Sequence, residues 1–166
     1  MKKHRITGKE DLLLEEVLKI YQNNRDYFQS CGTEIITREV VENDLESLPP
    51  GISAEQKEYS LFVEEDVPMA VVDLIKGFPD AETFYLGLLL VDGEKHGQGY
   101  GSAIYSALEE EMKAGGCKRG QLGVLENNPK AIVFWEKMGY QKKKTVYSTL
   151  GQEKNCKIYV MEKSFE

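Results

Sequence analysis

The sequence predicts an α+β fold, a mixed α/β sheet in a single domain over residues 1–166, on three observations. Two β-rich runs, 59–64 and 67–76, are separated only by Glu65 and Asp66, the spacing of an antiparallel hairpin. Downstream an apolar strand (82–91), an amphipathic helix (99–114) and a second strand (121–125) follow one another. Such a unit closes as a right-handed crossover and leaves its two strands parallel. No internal repeat, low-complexity tract or linker divides the chain, and 166 residues suffice for one sizeable core.

The elements follow in order. Residues 4–7 form a short first strand. Residues 9–24 form a helix, with Leu13, Val17, Ile20 and Tyr21 on one face, Thr7 as N-cap and Glu10 as its capping-box partner. A short helix covers 25–30 and ends at Gly32. A third, 37–48, is capped by Thr37 and closed by Pro49-Pro50-Gly51. The hairpin and the long strand come next, with Pro79-Asp80 turning the chain between them. Gly115-Gly116 ends the main helix with the expected C′ glycine. Asn127-Asn128-Pro129 opens a helix over 129–138, where a proline suits the first turn, and Gly139 ends it. Strands 141–149 and 157–163 form a last hairpin around Gly151.

Between the long strand and the main helix lies a polar, glycine-dense turn, Gly93 to Gly101. The first N–H groups of a helix have no intrahelical partner, and its dipole favours negative charge at that end. Glycines at 97, 99 and 101 let a ligand approach the backbone closely. Strand, loop and helix start therefore make an anion site suited to phosphate or pyrophosphate. Neither the P-loop pattern nor the dinucleotide G-x-G-x-x-G pattern fits the spacing.

The run His96-Gly97-Gln98-Gly99-Tyr100-Gly101 resembles the Q/R-x-x-G-x-G/A signature of the GNAT superfamily of N-acetyltransferases. Asn128, Ala131, Trp135, Gly139 and Tyr140 resemble that family's N-x-x-A-x-x-x-Y-x-x-x-G-F segment. The resemblance runs from about Thr83 to Tyr140. It departs at His96, where the family usually has Arg or Gln, and at Trp135, where it usually has Tyr. It implies a twisted, mostly antiparallel sheet with flanking helices, whose parallel pair, 83–91 and 121–125, splays around acetyl-CoA.

The same resemblance implies the ligand's contacts. Backbone groups of Leu89, Leu90 and Val91 bond the pantetheine arm and the acetyl carbonyl. The backbone from Gly97 through Gln98, Gly99 and Tyr100 to Gly101, with Ser102, holds the pyrophosphate; His96, where the chain departs from the family, is by its own chemistry a candidate to lend a hydrogen bond or partial charge to a phosphate. Asn128 contacts the cofactor, and Trp135 takes the family's tyrosine position. A thioester is already activated, so orientation (roughly 7–11 kcal/mol) and one oxyanion donor (roughly 3–4 kcal/mol) carry most of the chemistry.

Two proton transfers remain. Tyr85 stands where histone-type relatives carry a glutamate and is a candidate for ordering a proton-carrying water. Asp73 and Glu82 are candidate bases, and Tyr140 and Tyr147 candidate acids. Tyr85 and Tyr140 are the catalytic pair the sequence favours. The expected reaction is acetyl transfer from acetyl-CoA to a primary amine of a small molecule, by direct attack in a ternary complex. A protein lysine or N-terminal acetyltransferase and a non-catalytic acyl-CoA-binding domain stay open.

The formal net charge of −7 sets nucleic-acid binding aside and suits a cationic partner. No apolar run reaches membrane-span length, and the N-terminus lacks a signal-peptide core. Cys31, Cys117 and Cys156 have neither metal-ligand nor disulfide-framework spacing. A cytoplasmic protein without a metal is expected, and a homodimer stays open as an assembly.

Overall fold

The computed structural model describes residues 1–149 and 155–165. Its strands are β1 (Lys2–Arg5), β2 (Lys57–Glu64), β3 (Val67–Lys76), β4 (Thr83–Val91), β5 (Arg119–Leu125), β6 (Gln141–Thr149) and β7 (Asn155–Ser164). They form one sheet in the order β1-β2-β3-β4-β5-β7-β6. Every pairing is antiparallel except β4 with β5. The helices are α1 (Leu14–Gln22), α2 (Arg25–Ser30), α3 (Arg38–Glu46), α4 (Tyr100–Ala114) and α5 (Pro129–Lys137). This is the mixed, mostly antiparallel sheet with one parallel pair that the sequence predicts.

The β2–β3 turn needs left-handed backbone at both central residues, and Glu65 and Asp66 have φ of 50° and 65°. The short polar side chain of Asp66 tolerates that region better than most. β7 enters between β5 and β6, so the last hairpin adds its second strand inside its first. The predicted turn at Gly151 lies outside the described residues.

Strands β2, β5 and β7 each begin two residues earlier than expected, and the first strand and first helix also differ. The first strand begins at Lys2 and pairs with β2, Arg5 opposite Ser60. The first helix begins at Leu14 instead of residue 9. Asp11 is the cause: its carboxylate accepts from the Thr7 N–H (3.1 Å), the Thr7 hydroxyl (3.3 Å) and the Leu13 N–H (3.0 Å). An Asp that bonds nearby backbone offers it an alternative to helix, and here the alternative wins. Thr7 is thus a donor to Asp11, and Leu13 occupies the N-cap position. Thr37 does precede α3, but its side chain makes no capping bond.

The sheet separates two cores. Ala70, Val72 and Leu74 of β3 join Ile104, Tyr105, Leu108 and Met112 of α4 and Trp135 of α5. Val71, on the opposite face, joins Leu14, Val17, Ile20 and Tyr21 of α1 and Val41 of α3. β4 contributes to both. Phe84 and Leu86 belong to the α4 side, whereas Leu90, in phase with them, belongs to the α1 side. The switch is a bulge. Asp73 pairs with Leu88 and Leu74 with Leu86, which leaves Gly87 as an extra residue on β4. One inserted residue reverses which face each later side chain takes.

Candidate active site

β4 and β5 pair only over Thr83–Leu86 and Arg119–Leu122. Beyond Leu86 they part, and the edge of β4 that faces β5 has no strand partner. A cleft of about 1670 Å³ opens there, bounded by the parted strands, the glycine turn, the start of α5 and helices α1 to α3. It lies at the carboxyl ends of the parallel pair, where open sheets bind ligands.

The cofactor end is built from backbone. Gly97 and Gly99 have φ of 76° and 84°, and Gly99 is the N-cap of α4. With no side chain on Gly97, Gly99 or Gly101, the orphan N–H groups of the first turn open onto the cleft. The turn is anchored from behind. The Asp92 carboxylate accepts from the Glu94 N–H (3.1 Å) and from Asn23 Nδ2 (3.0 Å), which ties the turn to the end of α1. At Gly93 the fit is so close that a Cβ would fall 1.9 Å from the Asn23 carbonyl oxygen.

The residues predicted to hold the cofactor come together with few exceptions. Leu89, Leu90 and Val91 line the cleft, as do His96, Gly97 and Gly99. So do Tyr100, Gly101, Ser102, Asn128 and Trp135. Gln98 is exposed and does not line it. Asn128 caps α5, its Oδ1 accepting from the Ala131 N–H at 3.2 Å. The Val91 carbonyl already accepts from His96 Nε2 (2.9 Å) and Asn24 Nδ2 (3.0 Å), so it has no lone pair left for a ligand. Trp135, at 8% exposure, borders the cleft while its ring packs edge-on against Tyr105 and Tyr140.

The predicted catalytic residues divide. Tyr85 lines the cleft, and its hydroxyl stands 3.2 Å from where a Cβ on Gly123 of β5 would lie. Burial holds that phenol above its usual pKa, so it is a neutral donor. Tyr140 does not line the cleft. Gly139 (φ 101°) reverses the chain after α5, and the Tyr140 N–H closes the turn on the Trp135 carbonyl (2.9 Å). The ring thereby enters the α4-side core, where its oxygen accepts from the Tyr105 hydroxyl at 2.8 Å. Its hydroxyl backs onto Gly120 of β5, 2.4 Å from that residue's Cβ position, and burial raises its pKa well out of reach of a proton donor. Glu82 is on the surface, paired with Lys118 at 2.9 Å, and Tyr147 lies 69% exposed on β6. Asp73 does line the cleft.

Sequence reasoning missed Asp44 and Lys57. The Lys57 ammonium, nearly buried, donates to the Asp44 (2.5 Å) and Ser47 (2.6 Å) carbonyls and pairs with Asp73 at 3.2 Å. The Asp44 side chain accepts from the Tyr21 hydroxyl at 2.7 Å, and the Tyr21 and Tyr59 hydroxyls lie 2.5 Å apart. Asp44 is pushed up by burial, against the lowering pull of Tyr21 and Lys57. The available signal was Asp44 itself, four residues after Val40 on the apolar stripe of α3. This end of the cleft thus carries two desolvated carboxylates, one of them held by the clamped Lys57 ammonium. Among the described residues no cluster of three or more His, Cys, Asp or Glu is placed to hold a metal ion. No described helix is long and apolar enough to cross a membrane.

Comparison with known proteins places this geometry. The family model described as acetyltransferase (GNAT) family matches residues 17–140. A curated relative, acetyltransferase YE1169 of Yersinia enterocolitica, is 32% identical over 89 residues. That match covers 52% of this chain and 61% of the relative, so the chain spans about three-fifths of the relative's length. An acetyltransferase from Thermus thermophilus superposes with a TM-score of 0.75 at 22% identity, covering 96% of each chain. A Bacillus subtilis acetyltransferase in complex with CoA does so with a TM-score of 0.60 at 15% identity, over 68% of this chain and 79% of that one. The parted parallel strands, the backbone-built anion site at the start of α4 and the match over most of the length agree: the chain belongs to the GNAT acetyltransferase family.

Proposed function

We propose that the chain is an acetyl-CoA-dependent N-acetyltransferase whose acceptor is a primary amine of a small molecule, attacked directly in a ternary complex. One observation carries this reading: the cleft joins an anion-binding backbone end to an end lined by the Asp44 and Asp73 carboxylates. The first end suits the pyrophosphate of coenzyme A. The second suits a cationic amine, because a buried carboxylate gains most from a donor that brings positive charge. A bound acetyl thioester supplies an activated acyl group and a leaving thiolate. The protein orients it, and the partnerless edge of β4 offers N–H groups to the carbonyl oxygen as charge develops.

The first test is thermal unfolding with acetyl-CoA, CoA, NAD and ATP added separately. A ligand at a hundred times its Kd stabilises by about 2.7 kcal/mol, a midpoint shift of roughly 5–11 °C at this chain length. Only the two CoA compounds are expected to shift it. Thiol release with spermidine, kanamycin, lysine and a lysine-containing peptide then tests the acceptor. Release with a small amine is expected. Release with the peptide alone overturns the small-molecule reading, and no release with any of them overturns acetyl transfer to amines.

A further inference from the structure

We infer that the Asp73 carboxylate takes the proton from the acceptor amine, and that the glycine at position 87 exposes it to do so, an assignment that rests on the acetyl transfer proposed above.

Asp73 sits at the apex of the parted strands. It pairs with Leu88, two residues beyond Leu86, the last residue of β4 paired with β5. Its side chain lies on the α1–α3 side of the sheet, two residues on from Val71, at the acceptor end of the cleft. The bulge residue, Gly87, is exposed beside it. A Cβ there would stand 3.2 Å from Asp73 Oδ2 and 3.4 Å from its Cγ. Any other amino acid would therefore put a side chain against the carboxylate on its cleft side. Gly87 has no left-handed φ, so backbone conformation does not demand glycine there. A Cβ there would instead crowd the carboxylate, which would have to give by a few tenths of an ångström.

The carboxylate is also incompletely satisfied. Oδ2 pairs with Lys57, while Oδ1 is buried without a hydrogen-bond partner. An unpaired buried acceptor is costly and favours protonation of the carboxyl, and an amine N–H arriving from the cleft meets Oδ2, the oxygen beside Gly87. The neighbouring carboxylate is less suited: Asp44 Oδ2 already accepts from Tyr21, and Asp44 lies on α3, off the parted strands.

The surroundings tune the group for this role. Lys57 and Tyr59 face it from β2, Asp44 from α3 and Tyr85 from β4, with Tyr21 of α1 behind Tyr59. Burial raises all three tyrosines, so they stay neutral. Burial likewise lifts Asp73, against the lowering pull of Lys57, to about 6. Such a carboxylate is ionised at neutral pH yet more basic than an ordinary aspartate. The cationic amine first gives one proton to water; as the neutral nitrogen then attacks, the C–N bond forms and the C–S bond breaks. The thiolate leaves with the electron pair and is protonated from solvent. The proton lost by nitrogen passes to Asp73 and then to water.

The experiment compares thiol release by the wild-type chain, Asp73→Asn and Gly87→Ala from pH 5 to 9, with the fastest acceptor among spermidine, kanamycin and lysine. Thermal shift with CoA verifies that each variant is folded and binds. Asp73→Asn is expected to lower kcat about 100-fold at pH 8, the low end for general-base catalysis. Gly87→Ala, with Asp73 intact, is expected to lower kcat about tenfold, as a partial block of the same group. The amine's own titration is common to both chains and cancels in the ratio of wild-type to Asp73→Asn rates. That ratio should rise with pH through about 6 and level off above it. A ratio that does not change with pH, or an Asp73→Asn chain that keeps a third or more of kcat, overturns the assignment while acetyl transfer stands. If Asp73→Asn does not fold, a Gly87→Ala chain with wild-type kcat overturns it equally. No release by the wild-type chain overturns both.

Discussion

The two ends of the cleft are built from different materials. The cofactor end is backbone: glycines, the first turn of α4 and the partnerless edge of β4. The other end, proposed for the acceptor, is side chains: Asp44 from α3, Asp73 from β3 and Tyr85 from β4, with Lys57 of β2 against Asp73. Backbone donors carry fixed partial charges and need no titration, which suits a ligand held the same way throughout the reaction. Desolvated side chains change protonation state, which suits the place where a proton moves. The cores behind the ends differ likewise. Around Tyr105, Trp135 and Tyr140 the two phenols pair with each other, and the one buried charge beside them among the described residues, Glu109, is paired with Lys163 away from the cleft. On the α1–α3 face, a lysine and two aspartates sit just beneath the apolar layer.

That division is open to breaking, beginning at the backbone end. Gly99→Val is expected to weaken acetyl-CoA binding at least tenfold, about 1.4 kcal/mol. A β-branched residue rarely adopts φ near 84°, and its side chain would stand over the helix N-terminus. Isothermal titration with CoA measures it. Affinity equal to the parent's would mean that the pyrophosphate lies elsewhere.

Gly93→Ala probes the seam where the ends meet. Its Cβ would meet the Asn23 carbonyl at 1.9 Å, and backbone cannot rotate aside as a side chain can. An overpacking cost of roughly 1–3 kcal/mol is expected, a fall of about 2–12 °C in Tm, with CoA affinity reduced as the turn shifts. A calorimetric scan of the unliganded chain reads the first, and a midpoint within a degree of the parent's would mean that α1 and the turn are less tightly joined than they look.

The smallest effect concerns stability at the acceptor end. Asp73 is raised in the folded state from 3.8 to about 6. A raised carboxyl contributes stability that is complete below its unfolded pKa and lost as pH rises through the folded value. The wild-type chain should therefore lose ground against Asp73→Asn between pH 4 and 7, by on the order of 2 kcal/mol. Denaturant unfolding of both proteins across that range measures it. A constant difference would mean that Lys57 offsets the burial of Asp73 more completely than the geometry implies.

Much of the backbone end was legible in advance because it depends on local order. The strand, the glycine turn and the helix start are contiguous, and their spacing survives in one dimension. The bounds of α2, β3 and β6 could be read from the chain for the same reason: Gly32, the Glu65-Asp66 turn and Gly139 punctuate them. Misreadings came where a local competitor intervened, as Asp11 did at the start of α1. They also came where a side chain's direction depended on packing, as with Tyr140, which entered the core where an acid was expected at the site.

The sequence by itself determined the fold class, the parallel pair and the turn that opens it, since periodicity and glycine spacing encode backbone geometry. Tertiary structure alone decided which carboxylate faces the cleft. Asp44, Lys57 and Asp73 come from three separate elements, and only the folded sheet brings them together. The bulge at Gly87 reverses the phase of β4 midway; a glycine inside a strand hints at a bulge, but the leucines around it suit either face and leave the shift undecided in sequence.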